Sequence, residues 1–182
     1  TLTKKDFQKT VGLRLDEVIR FWHQYEGWKN VTPRDVEMLI VNRMKELIHQ
    51  NGKPLEGVIE MLHFLKSQNK KIGLATSSYS VLIDKVLSEL GIANFFDFTH
   101  SAEDEPFGKP HPAVYLTVAN KLNVQSLKCL VIEDSLNGII SAKAARMKVV
   151  CIPEKTHHPE PKLILADFYF ETMTEMLKII KK

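Results

Sequence analysis

Cysteine and long apolar runs are both scarce in this sequence. The 182 residues include two cysteines, Cys129 and Cys151, and both stand in apolar runs where a free thiol behaves as a small buried hydrophobe. No apolar run reaches the roughly 18 residues that a membrane span requires. The opening residues, TLTKKDFQKT, lack the apolar stretch of a signal peptide. We therefore expect a cytoplasmic protein with no disulfide and no membrane contact.

An excess of one charge is also nearly absent. The formal net charge is +3, and the basic residues are scattered over helix-like segments without forming a block. This pattern gives no reason to expect nucleic acid as a partner. Hydrophobic residues make up 44% of the chain and charged residues 26%, which is the composition of an ordered globular protein.

Residues 1–54 show helical patterns only. Thr32 and Pro33 form an N-cap and a first-turn proline, and apolar residues then recur at helical spacing up to Gly52. An earlier amphipathic segment runs from Asp16 to Tyr25. These patterns predict a small all-helical domain over 1–54.

In residues 55–182, short apolar strands alternate with helices. The predicted strands are 71–76, 96–99, 129–133, 149–152 and 168–170, and the predicted helices are 58–68, 80–90, 112–122, 137–145 and a last one from Thr174. Such alternation is typical of a doubly wound parallel sheet. The predicted fold class is therefore α/β, with a Rossmann-like parallel sheet and a small helical domain.

Polar residues at the carboxyl ends of such strands are the first candidates for a site, because ligands bind there in open parallel sheets. Thr76, Ser77 and Ser78 follow the strand at 71–76 directly and precede a helix. Hydroxyls and free N–H groups at a helix start suit a phosphate. The alternative is that they only cap the helix.

Lys109 lies between Gly108 and Pro110, and Pro112 then opens a helix. The prolines hold this lysine on a stiff, extended segment, where its ammonium could pair with phosphate charge. The alternative is a surface lysine in a proline-rich turn.

Glu133 and Asp134 close the strand at 129–133. Adjacent carboxylates are hard oxygen ligands of the kind that Mg²⁺ uses on phosphate substrates. The alternative is a helix-capping acid beside a solvated one. Hydroxyls, a lysine and an acid pair, in this order and all at strand ends, indicate a phosphoryl-transfer site.

This order of motifs resembles the haloacid dehalogenase superfamily, in the branch with a helical cap that includes β-phosphoglucomutase and small sugar-phosphate phosphatases. The segments most similar to the bacterial 2-deoxyglucose-6-phosphate or hexitol phosphatases are GLRLDEVIRFWHQYEGW, FGKPHPAVYL and VIEDSLNGIISAKAARMKVV. The resemblance implies that 1–54 is a cap without its first helix and that 55–182 is a core without its first strand.

The resemblance also implies roles for the residues of the core. Thr76 would contact the transferred phosphoryl group, with Ser77 and Ser78 beside it in the same pocket. Lys109 would neutralise charge between nucleophile and phosphate.

Three further roles follow from the resemblance. Glu133 and Asp134 would bind Mg²⁺, with Asp134 as a direct ligand. Arg14 would face the substrate from the cap, the alternative being a surface arginine near a helix start. Arg146 stands where many relatives have glycine, so a backbone that needs positive φ is expected to be strained there.

One family motif has no counterpart here, because the sequence contains no Asp-x-Asp. In the family its first aspartate attacks phosphorus and its second acts as general acid and base. The resemblance therefore implies a nucleophile outside this chain. It also predicts that the strands at 71–76 and 129–133 do not pair, because the strand that carries Asp-x-Asp lies between them.

The expected function is Mg²⁺-dependent hydrolysis of a small sugar or sugar-alcohol phosphate through an aspartyl-phosphate intermediate. One alternative is a phosphomutase similar to β-phosphoglucomutase, and another is a sugar-phosphate-binding protein without catalysis. The expected partner is the small-molecule sugar phosphate, and the expected state is a monomer.

Overall fold

The structure is a computed structural model that describes residues 3, 6, 8–153 and 161–181. Over these ranges it contains seven α-helices and five β-strands. The helices are α1 (Leu15–Glu26), α2 (Pro33–Asn51), α3 (Val58–Ser67), α4 (Ser80–Leu90), α5 (Ala113–Lys121), α6 (Leu136–Ala144) and α7 (Met173–Ile180). The strands are β1 (Gly73–Thr76), β2 (Phe98–Ser101), β3 (Leu130–Glu133), β4 (Lys148–Cys151) and β5 (Phe168–Tyr169). None of these helices is long and apolar enough to cross a membrane.

All strand pairs are parallel, which confirms the α/β class. β1 pairs with β2, from Gly73 opposite Phe98 to Thr76 opposite Ser101. β3 pairs with β4, and β4 with β5, in a separate sheet. Within the described ranges, no ladder joins β1 to β3. This agrees with the expectation that these two strands do not pair.

On β1 and β3, every second backbone carbonyl points away from the paired strand, towards the edge that has no strand partner in the described residues. The carbonyl of Ile72 accepts from the Asp97 N–H at 2.8 Å on the β2 side, and the carbonyl of Glu133 accepts from the Ile152 N–H at 2.8 Å on the β4 side. The backbone carbonyls of successive residues in a strand point to opposite edges of that strand. The carbonyl of Ala75 therefore faces the edge of β1 that β2 does not occupy. The carbonyl of Ile132 likewise faces the edge of β3 that β4 does not occupy.

β2 begins two residues later than the sequence pattern predicts. The apolar residues before it form a 3₁₀ turn, Ala93–Phe95, that ends in a hydrogen bond from the Phe96 N–H to the Ala93 carbonyl. The Asp97 side chain then accepts from the Ile72 N–H at 2.7 Å. Because the Phe96 N–H and the Asp97 side chain are engaged in these local hydrogen bonds, the pairing of β2 with β1 starts only at Phe98.

The helical residues before 52 have the expected boundaries but less burial than expected. Thr32 caps α2 through the Asp35 N–H, and Ile19 and Trp22 of α1 are buried. Tyr25, at the end of the predicted amphipathic segment, is 63% exposed. No residue of α2 is buried, because this helix packs mainly against α1 and α4 and leaves Leu39 66% exposed.

The core beneath the site is formed by strands and the helices that cross them. One apolar cluster lies around β4, α5 and α6 and includes Val114, Ile139, Val149 and Cys151. Both cysteines are free thiols. Arg146, just after α6, has φ of 62°, so the chain does take the left-handed conformation there with a side chain that disfavours it.

Candidate active site

Lys109 is buried at the junction of the two sheets. Only 6% of its side chain is exposed, so the alternative of a surface lysine is wrong. Its ammonium donates to the Ala75 carbonyl at 3.2 Å, to the Tyr115 hydroxyl at 2.9 Å and to Oε1 of Glu133 at 2.5 Å. The Lys109 ammonium therefore bridges the free edge of β1 and the carboxyl end of β3.

Glu133 is held from both of its oxygens. Oε1 accepts from Lys109 and from the Tyr115 hydroxyl, while Oε2 accepts from the Ser135 hydroxyl at 3.1 Å. Burial alone would raise the pKa of Glu133, but the Lys109 ammonium and these hydrogen bonds outweigh it and bring the pKa below its ordinary value. The carboxylate is therefore ionised and fixed.

Gly138 makes room for this carboxylate. A Cβ atom at Gly138 would lie 2.1 Å from Oε2 of Glu133, closer than any non-bonded contact allows. Gly138 stands in the first turn of α6, and its N–H donates to the hydroxyl of the N-cap residue Ser135 at 3.1 Å. The glycine thus lets a helix start approach the acid closely.

Tyr115 is a site residue that the sequence pattern did not single out. It lies in the first turn of α5 and is buried, and its ring also faces the Lys109 ammonium at 4.7 Å. Burial, followed by the charge of Glu133, raises the pKa of Tyr115 well above its usual range. The hydroxyl therefore stays protonated and donates a hydrogen bond to Glu133.

Asp134 offers the second carboxylate of the predicted metal pair. It follows β3 directly and is exposed, in contrast to Glu133. Among the residues described, no group of three or more histidine, cysteine or acidic side chains is arranged to hold a metal ion. Any cation here would depend on this pair together with water and substrate oxygens.

The three hydroxyl residues lie at the carboxyl end of β1, as predicted. Thr76 is the last strand residue, and its Oγ1 accepts from the Ser78 N–H at 3.1 Å. Ser77 donates its hydroxyl to the Gly12 carbonyl at 3.0 Å, which ties this end of the sheet to the helical residues before α1. Ser78 is exposed beside them.

The capping alternative for these hydroxyls is wrong. The N-cap residue of α4 is Tyr79, which makes no side-chain cap hydrogen bond. Oε1 of Glu103, from the loop after β2, accepts from the Ser80 N–H at 3.0 Å instead. The side chain that caps α4 is thus Glu103. The Thr76 hydroxyl instead accepts from the Ser78 N–H, and the Ser77 hydroxyl donates to the Gly12 carbonyl.

Arg14 reaches from the helical residues to the core. Its Nη1 donates to the carbonyls of Ala102 at 3.2 Å and Glu105 at 2.8 Å, and ion pairs at 3.4 Å join it to Asp16 and Glu17. The side chain is 11% exposed, so it is not a surface arginine. Its role towards a substrate stays a prediction.

The segment 11–14 contacts the ends of both sheets. Asn137 of α6 donates to the Val11 carbonyl at 2.8 Å, and Ser77 after β1 donates to the Gly12 carbonyl. Gly12 has φ of +81°, and a Cβ there would lie 3.1 Å from Cβ of Asn137. We call residues 11–14 the docking segment. Through Gly12 it contacts Ser77, one of the predicted phosphate residues.

A cleft of about 340 Å³ opens beside this segment. It lies between the helical residues and the loops after β1 and β2, and its lining consists of Arg14, Asp16, Glu37, Tyr79 and Glu103. Burial, followed by a hydrogen bond to Glu37, raises the pKa of the Tyr79 hydroxyl above its usual range.

Comparisons with known proteins identify the family of this chain. The family model for haloacid dehalogenase-like hydrolases matches residues 1–152. The chain belongs to this family. Hexitol phosphatase B of Escherichia coli (strain K12) is 35% identical to this chain over 173 residues, which cover 95% of this chain and 78% of the relative.

Two further known proteins extend the comparison. The phosphorylated carbohydrates phosphatase of Thermotoga maritima is 38% identical over 100 residues, or 55% of this chain and 44% of that protein. The crystal structure of β-phosphoglucomutase from Clostridium difficile superposes with a TM-score of 0.82 at 25% identity, over 99% of this chain and 81% of the other. This chain is thus a hydrolase with the fold of the β-phosphoglucomutase-like members.

Proposed function

We propose that this hydrolase removes phosphate from a small sugar or sugar-alcohol phosphate. The observation that carries the proposal is the buried Lys109, whose ammonium lies at the carboxyl ends of β1 and β3 with an ionised Glu133 against it. A buried cation at that edge is suited to a phosphate dianion. The names of the relatives, a hexitol phosphatase and a phosphorylated carbohydrates phosphatase, support a carbohydrate as the rest of the substrate.

Lys109 has the role of neutralising phosphoryl charge. Its contacts to Ala75, Tyr115 and Glu133 fix the ammonium before a substrate arrives, so little reorganisation is needed when charge redistributes in the transition state. The hydroxyls of Thr76 and Ser78, at the neighbouring strand end, would donate to the phosphate oxygens, and Ser77 lies between them with its hydroxyl donated to the Gly12 carbonyl.

Asp134, at the end of β3, would be the direct ligand of Mg²⁺, because its side chain is exposed. Both oxygens of the neighbouring Glu133 already accept hydrogen bonds, so this carboxylate would contribute its negative charge next to the ion. One or two carboxylates, with water and substrate oxygens, are the usual protein share of a magnesium site on a phosphate substrate. When bound, the ion neutralises phosphate charge and orients the phosphoryl group.

The proposed reaction also needs a nucleophile. The sequence contains no Asp-x-Asp, so the aspartate that would form the aspartyl-phosphate intermediate lies outside these residues. The residues of this chain then bind, orient and neutralise the phosphoryl group, while the docking segment covers the site.

A phosphomutase is the second candidate, because the Clostridium difficile β-phosphoglucomutase aligns with 99% of this chain. The full-length gene product, assayed with Mg²⁺ on hexitol 6-phosphate, 2-deoxyglucose 6-phosphate and β-glucose 1-phosphate, decides between the two. Release of inorganic phosphate supports the phosphatase. Isomerised glucose phosphate without phosphate release supports the mutase. If neither product forms while the sugar phosphates bind, the protein is a binding protein without catalysis.

A further inference from the structure

The cleft beside the docking segment has the dimensions of a small-molecule site. Its volume is about 340 Å³, within the range of roughly 300–1,000 Å³ that is typical of such pockets. Arg14, Asp16 and Glu37 line it from the helical residues, and Tyr79 and Glu103 line it from the core. A molecule in it would contact both parts of the chain.

This cleft adjoins the proposed phosphate site. Tyr79 is the third residue after Thr76, and Glu103 belongs to the loop that leaves the carboxyl end of β2. Arg14 packs against Gly108, the neighbour of Lys109, so closely that a Cβ at Gly108 would lie 2.7 Å from Cγ of Arg14. A substrate with its phosphate at Lys109 would extend its non-reacting end into the cleft.

The one basic residue in the lining is already engaged. Arg14 donates to the carbonyls of Ala102 and Glu105 and forms ion pairs with Asp16 and Glu17. Asp16 has a second cationic partner, Arg20, at 2.6 Å. These groups compensate one another, so they leave no free positive charge for an anion in the cleft.

The remaining lining residues are acidic or neutral. Glu103 accepts from the Ser80 N–H at 3.0 Å, and Glu37 lies beside Tyr79 in the lining, where it contributes to the raised pKa of the Tyr79 hydroxyl. Even when Arg20 and Glu17 are counted with the lining, the carboxylates Asp16, Glu17, Glu37 and Glu103 outnumber the guanidinium groups of Arg14 and Arg20. The cleft is therefore net negative.

We infer that the cleft selects substrates that carry one phosphate and a neutral polyhydroxyl end, and that Glu37 and Glu103 exclude a second phosphate. Carboxylate oxygens accept hydrogen bonds from sugar hydroxyls, whereas a phosphate in the same place would be repelled by them. Such repulsion gives specificity by penalising the wrong ligand.

This inference rests on the proposed function and makes it more specific. A phosphomutase that passes through a sugar bisphosphate must hold a phosphate at each end of the sugar in turn. A cleft that rejects the distal phosphate disfavours that intermediate. The carbohydrate then leaves without phosphate, and water accepts the phosphoryl group.

Binding of glucose 6-phosphate and glucose 1,6-bisphosphate to the full-length protein tests the inference. Calorimetry without magnesium avoids turnover, and the ratio of the two dissociation constants is the quantity of interest. We expect the unmodified protein to bind the monophosphate at least about tenfold more tightly, and Glu37→Gln to reduce this ratio about tenfold, because one full charge is removed next to the distal end. Glu37→Lys should reverse the preference.

Glu46→Gln is the matched control. Glu46 lies on the same helix, α2, its side chain is 59% exposed, and it pairs with Arg43, so the same change of charge there should leave the ratio unaltered. Equal affinities for the two ligands in the unmodified protein, or an unchanged ratio in Glu37→Gln, would overturn the inference. Failure to release phosphate from any monophosphate would instead remove the proposed function, while the binding ratio would still decide the charge selectivity.

Discussion

The ammonium of Lys109 lies 2.5 Å from Oε1 of Glu133, and the same ammonium donates to the carbonyl of Ala75 at 3.2 Å. Ala75 belongs to the β1–β2 sheet and Glu133 to the β3–β4–β5 sheet. Since no ladder joins β1 to β3 in the described residues, this ion pair is a direct polar link between the two sheets. It therefore couples the position of the phosphate-binding charge to the packing of the core.

Replacing Lys109 by alanine should damage both function and folding. The kcat of the full-length enzyme should fall roughly 10²-fold or more, with a smaller change in KM, because a fixed charge acts mainly on the transition state. Loss of one partner of a buried ion pair should also lower the free energy of unfolding by about 3 kcal/mol. Steady-state kinetics and urea denaturation measure the two effects. A change in KM alone would make Lys109 a binding residue only.

Lys148→Ala is the control for that change. Its side chain is 65% exposed and pairs with Asp167, so its removal should alter the free energy of unfolding by about 1 kcal/mol at most, without an effect on kcat.

Asp134→Asn should abolish turnover at saturating Mg²⁺ and leave the free energy of unfolding within about 0.5 kcal/mol of the parent value, since this residue is exposed and the amide has the same shape. Phosphate release across a magnesium titration measures the first effect and urea denaturation the second. Asp84→Asn, an exposed aspartate of α4, is the control and should remain active. Full activity of the Asp134 variant would remove this residue from the site.

Arg14→Ala should reduce kcat/KM for sugar phosphates more than for p-nitrophenyl phosphate. A residue in the cleft meets the non-reacting part of the substrate, which the aryl phosphate does not share. Parallel kinetics on both substrates measure the difference, with Arg43→Ala, an exposed arginine of α2, as the control. Equal losses on the two substrates would indicate that Arg14 acts through the Ala102 and Glu105 carbonyls on the core itself.

Gly138→Ala separates helix propensity from packing at the site. Alanine should favour α6 by about 1 kcal/mol, but its Cβ would lie 2.1 Å from Oε2 of Glu133 and displace the carboxylate, which should cost about 1–3 kcal/mol and lower kcat. Thermal unfolding and kinetics should both show a net loss. Ala144→Gly, at an exposed position of the same helix, should lose only the propensity difference and keep its activity. A stabilised and active Gly138→Ala would contradict the close approach.

Acid should weaken the β4–β5 region through Asp167. Hydrogen bonds from Lys143, the Val149 N–H and Lys148 hold the pKa of Asp167 far below its ordinary value of 3.8. Because the folded-state pKa is depressed, this contribution is complete above 3.8 and is lost as the pH falls towards the folded-state pKa. Melting temperatures measured from about pH 6 to about pH 2 should fall less steeply for Asp167→Asn than for the parent. Identical slopes would show that Asp167 is not the group responsible.

The strand ends and most element boundaries were accessible from the sequence because they depend on local chemistry. Thr32 and Pro33 define the start of α2, and the acid pair follows β3 where an apolar run stops. These features need neighbours within a few residues only. The left-handed conformation of Arg146, by contrast, was suggested only by the resemblance to a family in which many members have glycine at this position.

Contacts between distant segments could not be predicted in this way. Tyr115 follows the periodicity of a core residue of α5, and nothing in that pattern indicates that its hydroxyl reaches Lys109 and Glu133. Glu103 caps α4 from 23 residues away, so the hydroxyls that precede α4 looked like the natural caps. The apolar spacing of α2 predicted a helix, but whether its apolar residues are buried depends on which elements pack against the helix, and local spacing cannot supply that.

Residues 11 and 12 of the docking segment are attached to the core through their own main chain, because the acceptors are the carbonyls of Val11 and Gly12 while the donors are side chains of Asn137 and Ser77. Every residue type has a carbonyl. The side chain at position 11 is therefore free to vary during evolution without loss of this attachment, whereas Ser77 and Asn137 are not. Sequence change at position 11 can thus accumulate without loosening the contact between the helical residues and the core.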